Sequence, residues 1–329
     1  MERFVFVAAI AIAILFGLGA VFGGPHFHVG VDLGDGGRRH AVMETAPGSL
    51  EAQTFAGTKI DLRHLAAAVT VTPEDRSDFV IEINNQAGRL PMPEISTSNG
   101  VVIVEGFLAG RISRCEDDGG ANVRGYGEMA ASDLPQIVIR APRDLNIERG
   151  GAGSTEIGAT NTLDADVAGC STLTAGDVTG ALKADLAGSG ALRAGAAQSL
   201  DASVAGSGEI VTGAIADGAD IDIAGSGEVT IASLTGTLNH DGAGSGTLEI
   251  QGGSIGQARI DLAGSGGAEI TAPVQALTVD IIGSGDVVVH AAVGDISASI
   301  AGSGDVEVQS ATGAVHREVL GSGEVRIGG

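Results

Sequence analysis

Acidic side chains recur at fixed points along the second half of the sequence, and together they could bind a cation. An aspartate or glutamate often follows the tripeptide Gly-Ser-Gly, and another often precedes it. Ca²⁺ takes six to eight oxygen ligands, which carboxylates supply. The pattern therefore makes Ca²⁺ the one candidate cofactor, and otherwise we expect none. The candidate ligands are Asp222, Glu228, Asp280, Asp286, Asp305 and Glu324.

A second interpretation of these carboxylates remains open. Charged positions on strands keep exposed surfaces soluble and prevent wrong pairing. The glycine-rich nonapeptide repeat that binds Ca²⁺ in β-rolls does not occur in this sequence. The acidic positions can thus be read either as a metal site or as a solvated face.

Basic residues concentrate in the irregular segment 106–134, where they could form a ligand site. The candidate ligand-binding residues are Arg111, Arg114, Arg124 and Tyr126, and a binding module would line a pocket with them. Acidic neighbours could instead neutralise the arginines: Glu116, Asp117, Asp118 and Glu128. Long irregular segments in compact domains are either functional or mobile, so the segment is one place to look for binding.

Catalysis is the chemistry that the sequence favours least. A serine hydrolase site needs one strained serine with a histidine and an acid nearby. Here the Gly-Ser-Gly serine recurs in almost every copy. His240, His290 and His316 fall at different phases of the repeat. A polysaccharide lyase or hydrolase would need grouped carboxylates, usually beside aromatic sugar platforms, yet no aromatic residue follows Tyr126. We expect a non-enzymatic protein and keep polysaccharide processing as the alternative enzyme activity.

A repeat of about 19 residues organises the chain from residue 151 onward. The first glycine of each copy lies at Gly153, Gly169, Gly188, Gly206, Gly225, Gly244, Gly264, Gly283, Gly302 and Gly321. Within each copy, β-branched residues alternate with small or polar ones and glycines interrupt the runs, which is typical of strands. Ten stacked copies predict an all-β fold, a β-helix or solenoid in which each coil pairs with the next.

The Gly-Ser-Gly tripeptide is predicted to form the corner of each coil. Glycine permits a sharp turn with positive φ, and the serine hydroxyl can bond nearby backbone groups. Stacked corners would place their serines in a row. The clearest corner residues are Gly206, Ser207, Gly208, Gly225, Ser226, Gly227, Gly283, Ser284, Gly285, Gly302, Ser303 and Gly304.

Four regions are predicted along the chain. Residues 1–23 contain the uncharged run Phe4–Phe22, an apolar helix that is either a cleaved signal peptide or a retained anchor. Residues 24–40 form a linker in which His26 and His28 could bind a metal but more simply belong to an unstructured segment. Residues 41–150 form an irregular β cap with the insertion 106–134, and residues 151–329 form the repeat solenoid.

The net charge of −23 constrains the partners. Such an acidic protein repels nucleic acid and anionic membrane surfaces, so we expect no nucleic acid and membrane contact only through residues 4–22 if they are retained. The expected partner is an unidentified component of the envelope or cell surface. The last rung could also pair end to end with another copy, because it exposes a strand edge.

The repeat, together with the strands “FVIEI” (79–83) and “QIVIR” (136–140), resembles a bacterial family described as putative auto-transporter adhesin with a head GIN domain. The resemblance implies an all-β solenoid, export to the periplasm, outer membrane or cell surface, and a structural or adhesive role, and it brings no catalytic residues. A periplasmic binding module that uses the insertion is the alternative. Fold-level analogy alone does not establish function.

The two cysteines bear on whether the protein is exported. In an oxidising compartment Cys115 and Cys170 could form a disulfide, although two unrelated side chains are equally compatible with the sequence. Cys170 stands where later corners have serine, at the start of the repeats and close to the N-terminal region that contains Cys115.

Overall fold

A computed structural model describes residues 43–116 and 119–328. The predicted signal or anchor, the predicted linker with His26 and His28, and the acidic residues Asp117 and Asp118 lie outside these residues. In the described ranges no helix is long and apolar enough to cross a membrane.

Strands dominate the described chain, and its one helical element is the 3₁₀ turn Ala131–Asp133. The strands before the repeats are β1 Gly48–Ala56, β2 Lys59–Ala66, β3 Ala68–Glu74, β4 Asp78–Asn85, β5 Glu94–Ser98, β6 Val101–Glu105, β7 Ile112–Cys115, β8 Ala121–Val123, β9 Gly127–Met129 and β10 Gln136–Pro142. The first repeats contribute β11 Asp144–Ala152, β12 Ser154–Ile157, β13 Thr162–Gly169, β14 Thr172–Ala175, β15 Ala181–Gly188, β16 Ala191–Ala194, β17 Ser199–Gly206, β18 Glu209–Ile215 and β19 Ala219–Gly225. The later repeats contribute β20 Glu228–Gly244, β21 Thr247–Ile250, β22 Gly253–Gly264, β23 Gly267–Ile270, β24 Val274–Gly283, β25 Asp286–Gly302, β26 Val306–Ala311, β27 Val315–Gly321 and β28 Val325–Ile327.

The repeats wind into a β-solenoid of about ten turns, which confirms the predicted fold class. One side of each coil adds a parallel strand to a first sheet, in the order β2, β11, β13, β15, β17, β19, β20, β22, β24, β25 and β27. After a corner, the coil adds a strand to a second sheet, in the order β3, β12, β14, β16, β18, β20, β21, β23, β25, β26 and β28. The strands β20 and β25 contribute to both sheets.

Alternation along each strand decides which side chains form the core. In β13, Leu163, Ala165 and Val167 are buried, whereas Asp164 and Asp166 between them are partly exposed. Because the coils stack in register, Leu163 lies beside Leu182, and each inward position becomes a column of apolar side chains. These columns join into one continuous hydrophobic core.

Antiparallel strands cover the N-terminal edges of both sheets. In the first sheet, β6 pairs in parallel with β2 and folds back into antiparallel β5. In the second sheet, β10 lies between β3 and antiparallel β4, and β4 pairs with β1. In the cap, β2 and β3 thus continue the two parallel sheets, and the strands beyond them add a small antiparallel part to each sheet.

The first corner differs from the one that the sequence pattern suggested. Gly169 pairs in register with Gly151, not with Gly153, which had served as the first marker. The irregular spacing at the start of the repeat disappears with this correction. Thr172 N donates to Gly153 O, as Ala191 N donates to Ser171 O one coil later, so Gly153 lies two residues beyond the corner glycine.

The two glycines of a corner are required for different reasons. Gly225 has φ of 123°, and a Cβ there would lie 2.4 Å from Gly206 O of the preceding coil. Gly227 does not have a left-handed φ, but a Cβ there would lie 2.4 Å from Val204 Cγ1 and 2.8 Å from Gly208 O. The first glycine allows the turn, and the second lets the backbone approach the core of the preceding coil.

Arg149 joins the cap to the solenoid from inside the core. Its side chain is 1% exposed, and its neighbour at the same inward position of the next coil is Val167. The guanidinium donates to five acceptors: Thr155 Oγ1 at 3.1 Å, Leu65 O at 3.3 Å, Gly150 O at 3.1 Å, Ala67 O at 3.2 Å and Ala152 O. Burial lowers the pKa of Arg149 to about 10, so the group remains charged at neutral pH. Two of its acceptors belong to β2 and to the turn after it, so the hydrogen bonds hold the first coil against the cap.

The last rung also has an arginine at an inward position. Arg317 pairs in register with Ala298 of the preceding coil, and its Nη1 donates to Val325 O at 3.3 Å. Inward-pointing charge is one of the devices that discourage edge-to-edge pairing. Self-association through this rung stays a prediction.

The corner geometry predicts a strong effect of Gly225→Ala. The substitution should destabilise the protein by roughly 2 kcal/mol or more, because an L residue is strained at positive φ and its Cβ meets the neighbouring corner. The measurement is the midpoint of urea unfolding. Gly252→Ala is the matched control, since its Cβ would lie 3.6 Å from Ala232 O, at ordinary contact distance. Equal midpoints for the two variants would contradict this account of the corner.

Removing the Arg149 side chain should loosen the cap. Arg149→Met leaves buried carbonyls without donors, so we expect a loss of about 3 kcal/mol or more of unfolding free energy, with early hydrogen exchange in β2 and β3. Arg140→Met on the exposed side of β10 is the control and should change stability by less than about 0.5 kcal/mol. Unchanged exchange in β2 and β3 of the Arg149 variant would show that these hydrogen bonds do not hold the cap.

Candidate functional site

The outward side of the first sheet carries a column of acidic side chains, here called the carboxylate column. In-register pairing places successive members on neighbouring strands, about 4.8 Å apart. The column begins at Asp61, and serines interrupt it at two positions, Ser203 and Ser299. In order the column comprises Asp61, Glu148, Asp166, Asp185, Ser203, Asp222, Asp241, Asp261, Asp280, Ser299 and Glu318.

Three cations two residues away along the strands neutralise parts of this column. Lys59 Nζ lies 2.5 Å from Glu148 Oε1. Lys183 Nζ contacts Asp185 Oδ2. Arg259 Nη2 lies 2.6 Å from Asp261 Oδ2 and 3.5 Å from Asp280 Oδ2. Asp222 and Asp241 lie between the second and third cations and form the most purely acidic stretch.

The structure divides the six candidate calcium ligands between two surfaces. Asp222 and Asp280 belong to the carboxylate column, whereas the other four follow the corner, at the start of a second-sheet strand (Glu228, Asp286) or directly before one (Asp305, Glu324). In the latter group two carboxylates accept backbone N–H groups of the next coil. Asp286 Oδ1 accepts from Asp305 N at 2.9 Å, and Asp305 Oδ1 accepts from Glu324 N at 2.8 Å.

Arg326 adds a cation to the same end of the second sheet. Its Nη1 lies 3.0 Å from Asp305 Oδ2 and its Nε lies 2.9 Å from Glu324 Oε2. Across residues 43–116 and 119–328, no group of three or more His, Cys, Asp or Glu side chains is placed to hold a metal ion. Calcium binding remains a prediction from the sequence, and two of the four carboxylates after the corner, those of Asp286 and Asp305, accept backbone N–H groups of the next coil.

The insertion forms a small sheet of its own. The strands β7, β8 and β9 are antiparallel, and Ala121, Val123 and Met129 pack with Leu90 and Leu108 in a second hydrophobic cluster. Cys115 at the end of β7 forms a disulfide with Cys170 at the corner after β13, with Cα atoms 5.9 Å apart. A covalent bond thus ties the insertion to the first repeat coils.

The structure separates the four candidate ligand-binding residues of the insertion. The guanidinium of Arg111 lies 6.0 Å from the centre of the Tyr126 ring, and its Nη1 donates to Arg124 O at 3.3 Å. These three residues lie together at one end of the small sheet. Arg114 lies instead in the wall of a cleft between the insertion and the solenoid corners.

This corner cleft has a volume of about 560 Å³, and both the insertion and the repeats contribute to it. Arg193, on β16, was not among the residues that the sequence singled out. It occupies an outward position of the repeat beside the Cys170 corner. That this position lines a cleft can be seen only once the position of the insertion is known. The cleft is lined by Ser113, Arg114, Cys115, Glu116, Gly119, Gly120, Gly153, Cys170, Thr172, Ser189, Gly190, Ala191 and Arg193.

Comparison with known proteins identifies the family. Residues 128–214 and 211–292 match the model of a family described as “Putative auto-transporter adhesin, head GIN domain”. The two matches together cover half of the chain and lie mostly in the repeats. The chain belongs to this family. None of the curated proteins matches it in sequence.

Several crystal structures are similar to this GIN-domain protein at low sequence identity. A “putative lipid binding protein” from Parabacteroides distasonis is 13% identical over 87% of this chain and 99% of its own, with a TM-score of 0.43. A “putative adhesin” from the same species is 14% identical over 87% and 99%, also with a TM-score of 0.43. A “putative adhesin” from Parabacteroides merdae is 15% identical over 86% and 95%, with a TM-score of 0.35. At these scores the similarities carry no argument about this chain.

The three histidines that the sequence singled out lie at different positions of the coil in the GIN-domain protein, and the corner serines form a row of their own. Ser284 Oγ lies 3.0 Å from Ser303 Oγ, as expected for a row of stacked corner serines. His240 is 2% exposed at an inward position, and its Nδ1 lies 3.2 Å from Ile221 O. His290 Nε2 is exposed and lies 2.8 Å from Glu269 Oε1 on the second sheet. His316 lies on the outward side of the first sheet.

Partial burial changes the protonation of the carboxylate column. Burial, together with the hydrogen bond and charge of Asp185, raises the pKa of Asp166 to about 6. Burial also raises the pKa of Asp261 to about 6, although Arg259 opposes the rise. For Asp61, Asp222 and Asp241 the pKa is raised by burial first and by neighbouring carboxylates second. In contrast, burial lowers the pKa of His240 to about 4.

These shifts predict that the protein becomes more stable as the pH falls from 7 to 5. Carboxyl groups with a raised pKa bind protons more tightly in the folded than in the unfolded protein, so protonation between pH 6 and 4 favours folding. His240 acts in the opposite direction, because only the unfolded protein takes up its proton in this range. The two carboxyls with a pKa of about 6 gain slightly more than the histidine loses, so we expect a small net gain, less than about 1 kcal/mol after solvent screening.

The double variant Asp166→Asn, Asp261→Asn tests the origin of this gain. It should be more stable than the native protein at pH 7.5 and should gain less on acidification, because two of the repelling charges are absent at every pH. Glu82→Gln, at an exposed position of β4, is the control and should leave the pH profile unchanged. Urea unfolding at pH 7.5, 6 and 5 is the measurement. A native stability that falls steadily over this range would contradict the assignment.

Proposed function

We propose that this protein is an exported, non-enzymatic β-solenoid with a structural or adhesive role in the bacterial cell envelope. The observation that carries the proposal is the parallel, largely in-register pairing of the repeat coils in a member of a family described as an adhesin head. Parallel pairing on two sheets makes a stiff scaffold, and its side chains form regular columns that can meet an extended partner. The surface supports this role more than the fold does, because one fold serves many functions.

Two features support export. The apolar run Phe4–Phe22 has the composition of a signal peptide or an anchor. The disulfide between Cys115 and Cys170 is typical of oxidising compartments and rare in the cytosol.

The first sheet supports an adhesive surface. Its outward residues are mostly short, such as Asp222 and Asp241 and the alanines Ala224 and Ala243, two residues nearer the corner. Short side chains in register make a surface of low relief, and the carboxylates favour a basic partner. The location of His240 in the core and of His290 beside Glu269, away from the corner serines, supports a non-enzymatic role.

Export can be tested with the full chain in a bacterial host. Fractionation and protease treatment of intact cells should find the protein outside the cytoplasm, with both cysteines blocked to thiol reagents until a reductant is added. The same chain without residues 1–23 is the control and should stay in the cytoplasm with reactive thiols. Cytoplasmic full-length protein with free thiols would contradict export.

Adhesion can be tested on the same cells once export is established. Cells that expose the full chain should be retained on a surface coated with a basic polypeptide more strongly than cells without it. The variant Asp222→Asn, Asp241→Asn should lose at least half of this gain, whereas Glu82→Gln should keep it. Equal retention with and without the protein would contradict the adhesive role and leave a structural one.

A further inference from the structure

Three neighbouring strands of the first sheet present buried oxygen atoms that accept no hydrogen bond from the described residues. The atoms are Asn146 Oδ1 on β11, Asp164 Oδ1 on β13 and Asp185 Oδ1 on β15. All three side chains lie on the outward side of the sheet, next to the cap strand β2 or within two strands of it. A buried acceptor without a donor costs free energy, so a group of such acceptors needs a hydrogen-bond donor or a cation.

Asp185 is the least exposed carboxylate residue of the described chain, at 8%. Its Oδ2 contacts Lys183 Nζ, whereas its Oδ1 is the unpaired atom. Asp185 pairs in register with Asp166, and the two carboxyl groups lie within hydrogen-bonding distance of each other. Two ionised carboxylates at this separation repel each other, and burial strengthens the repulsion because little water screens it. The pair is therefore suited to hold a positive charge.

The basic residues nearby leave part of the negative charge without a counter-ion. Lys59 Nζ lies 2.5 Å from Glu148 Oε1, and Lys183 is the second ammonium group of the cluster. On the far side of Asp185, β17 carries no basic residue. Four carboxylates against two ammonium groups leave two negative charges, which one divalent cation neutralises. The four carboxylates are those of Glu148, Asp164, Asp166 and Asp185.

The available ligand atoms select the class of cation. Carboxylate and amide oxygens are the ligands of hard cations such as Mg²⁺ and Ca²⁺, and the strands β11, β13 and β15 contain no histidine or cysteine that would favour a transition metal. Mg²⁺ keeps several of its waters and needs only one or two protein carboxylates. Such a site is compatible with the described residues, among which no three His, Cys, Asp or Glu side chains are placed around one ion.

We propose that Asp166 and Asp185 bind one hard divalent cation, Mg²⁺ or Ca²⁺. The ion takes the unpaired Oδ1 of Asp185, and Lys183 keeps Oδ2. Asp164 and Asn146 contribute the adjoining oxygen atoms, directly or through a bound water. None of the calcium ligands predicted from the sequence belongs to this site, and the site does not depend on the adhesive role proposed above.

The position of the site gives the ion a structural role. Lys59 belongs to β2 of the cap, Glu148 to β11 and Asp166 to β13, so the cluster spans the junction between the cap and the first regular coils. Arg149 holds this junction from inside the core. An ion on the outer side relieves the repulsion there and stabilises the folded protein, since only the folded chain brings the carboxylates together.

Calorimetric titration of the full chain with MgCl₂ and with CaCl₂ tests the proposal at pH 7.5, after EDTA treatment and removal of the chelator. At least one of the two ions should bind at one site per chain with a Kd below about 1 mM, and about 5 mM of it should raise the melting temperature by a few degrees. The variant Asp166→Asn, Asp185→Asn should weaken binding at least about tenfold. Asparagine keeps the shape of both side chains and removes their repulsion, so the variant should fold, and its urea midpoint without the ion checks this.

The double variant Glu82→Gln, Glu307→Gln is the control, because it removes the same charge from exposed positions outside the cluster. It should bind the ion like the native protein. Three results would overturn the proposal. They are no saturable binding of either ion up to about 10 mM, an equal loss of binding in the two double variants, and a loss in Asp222→Asn, Asp280→Asn in place of the Asp166, Asp185 variant, which would locate the ion at the ligands predicted from the sequence.

Discussion

Parallel backbone pairing between successive coils is the constraint on which the rest of this structure depends. The strands of each coil pair in register with those of the next coil. A residue at a given position of the repeat therefore lies beside the residue at the same position one coil later. Apolar residues at inward phases then merge into one core. At the corner the same constraint leaves room only for glycine, because a side chain at Gly225 would strike the backbone of Gly206.

Register has an electrostatic cost that the protein offsets in three ways. Carboxylates one strand apart repel one another by on the order of 1 kcal/mol per pair in water. Lys59, Lys183 and Arg259 neutralise some of them. Asp286 and Asp305 use carboxylate oxygens to accept backbone N–H groups of the next coil. Partly buried members of the column instead take up protons more readily, which links the charge of this surface to pH.

The cap and the insertion differ from the repeats in what holds them. The irregular N-terminal strands share the core of the first regular coil, and there the buried Arg149 adds hydrogen bonds to carbonyl groups on both sides. The insertion lies outside the main sheets and is joined to them by a disulfide and a small hydrophobic cluster. The cleft between insertion and corners exists because these two attachments meet at Cys170.

The sequence by itself determined the solenoid, since a 19-residue period with alternating apolar positions and corner glycines has one good way to bury its apolar side. It also identified the family and the acidic phases of the repeat. Only the tertiary structure decided that the candidate calcium ligands lie on two surfaces, that Gly151 begins the first corner, and that Arg114 lines a cleft apart from Arg111 and Arg124. Each repeat pairs with the next, so the period of the sequence shows which positions stack. The position of an insertion depends instead on contacts between residues far apart in sequence, and such contacts leave no periodic pattern.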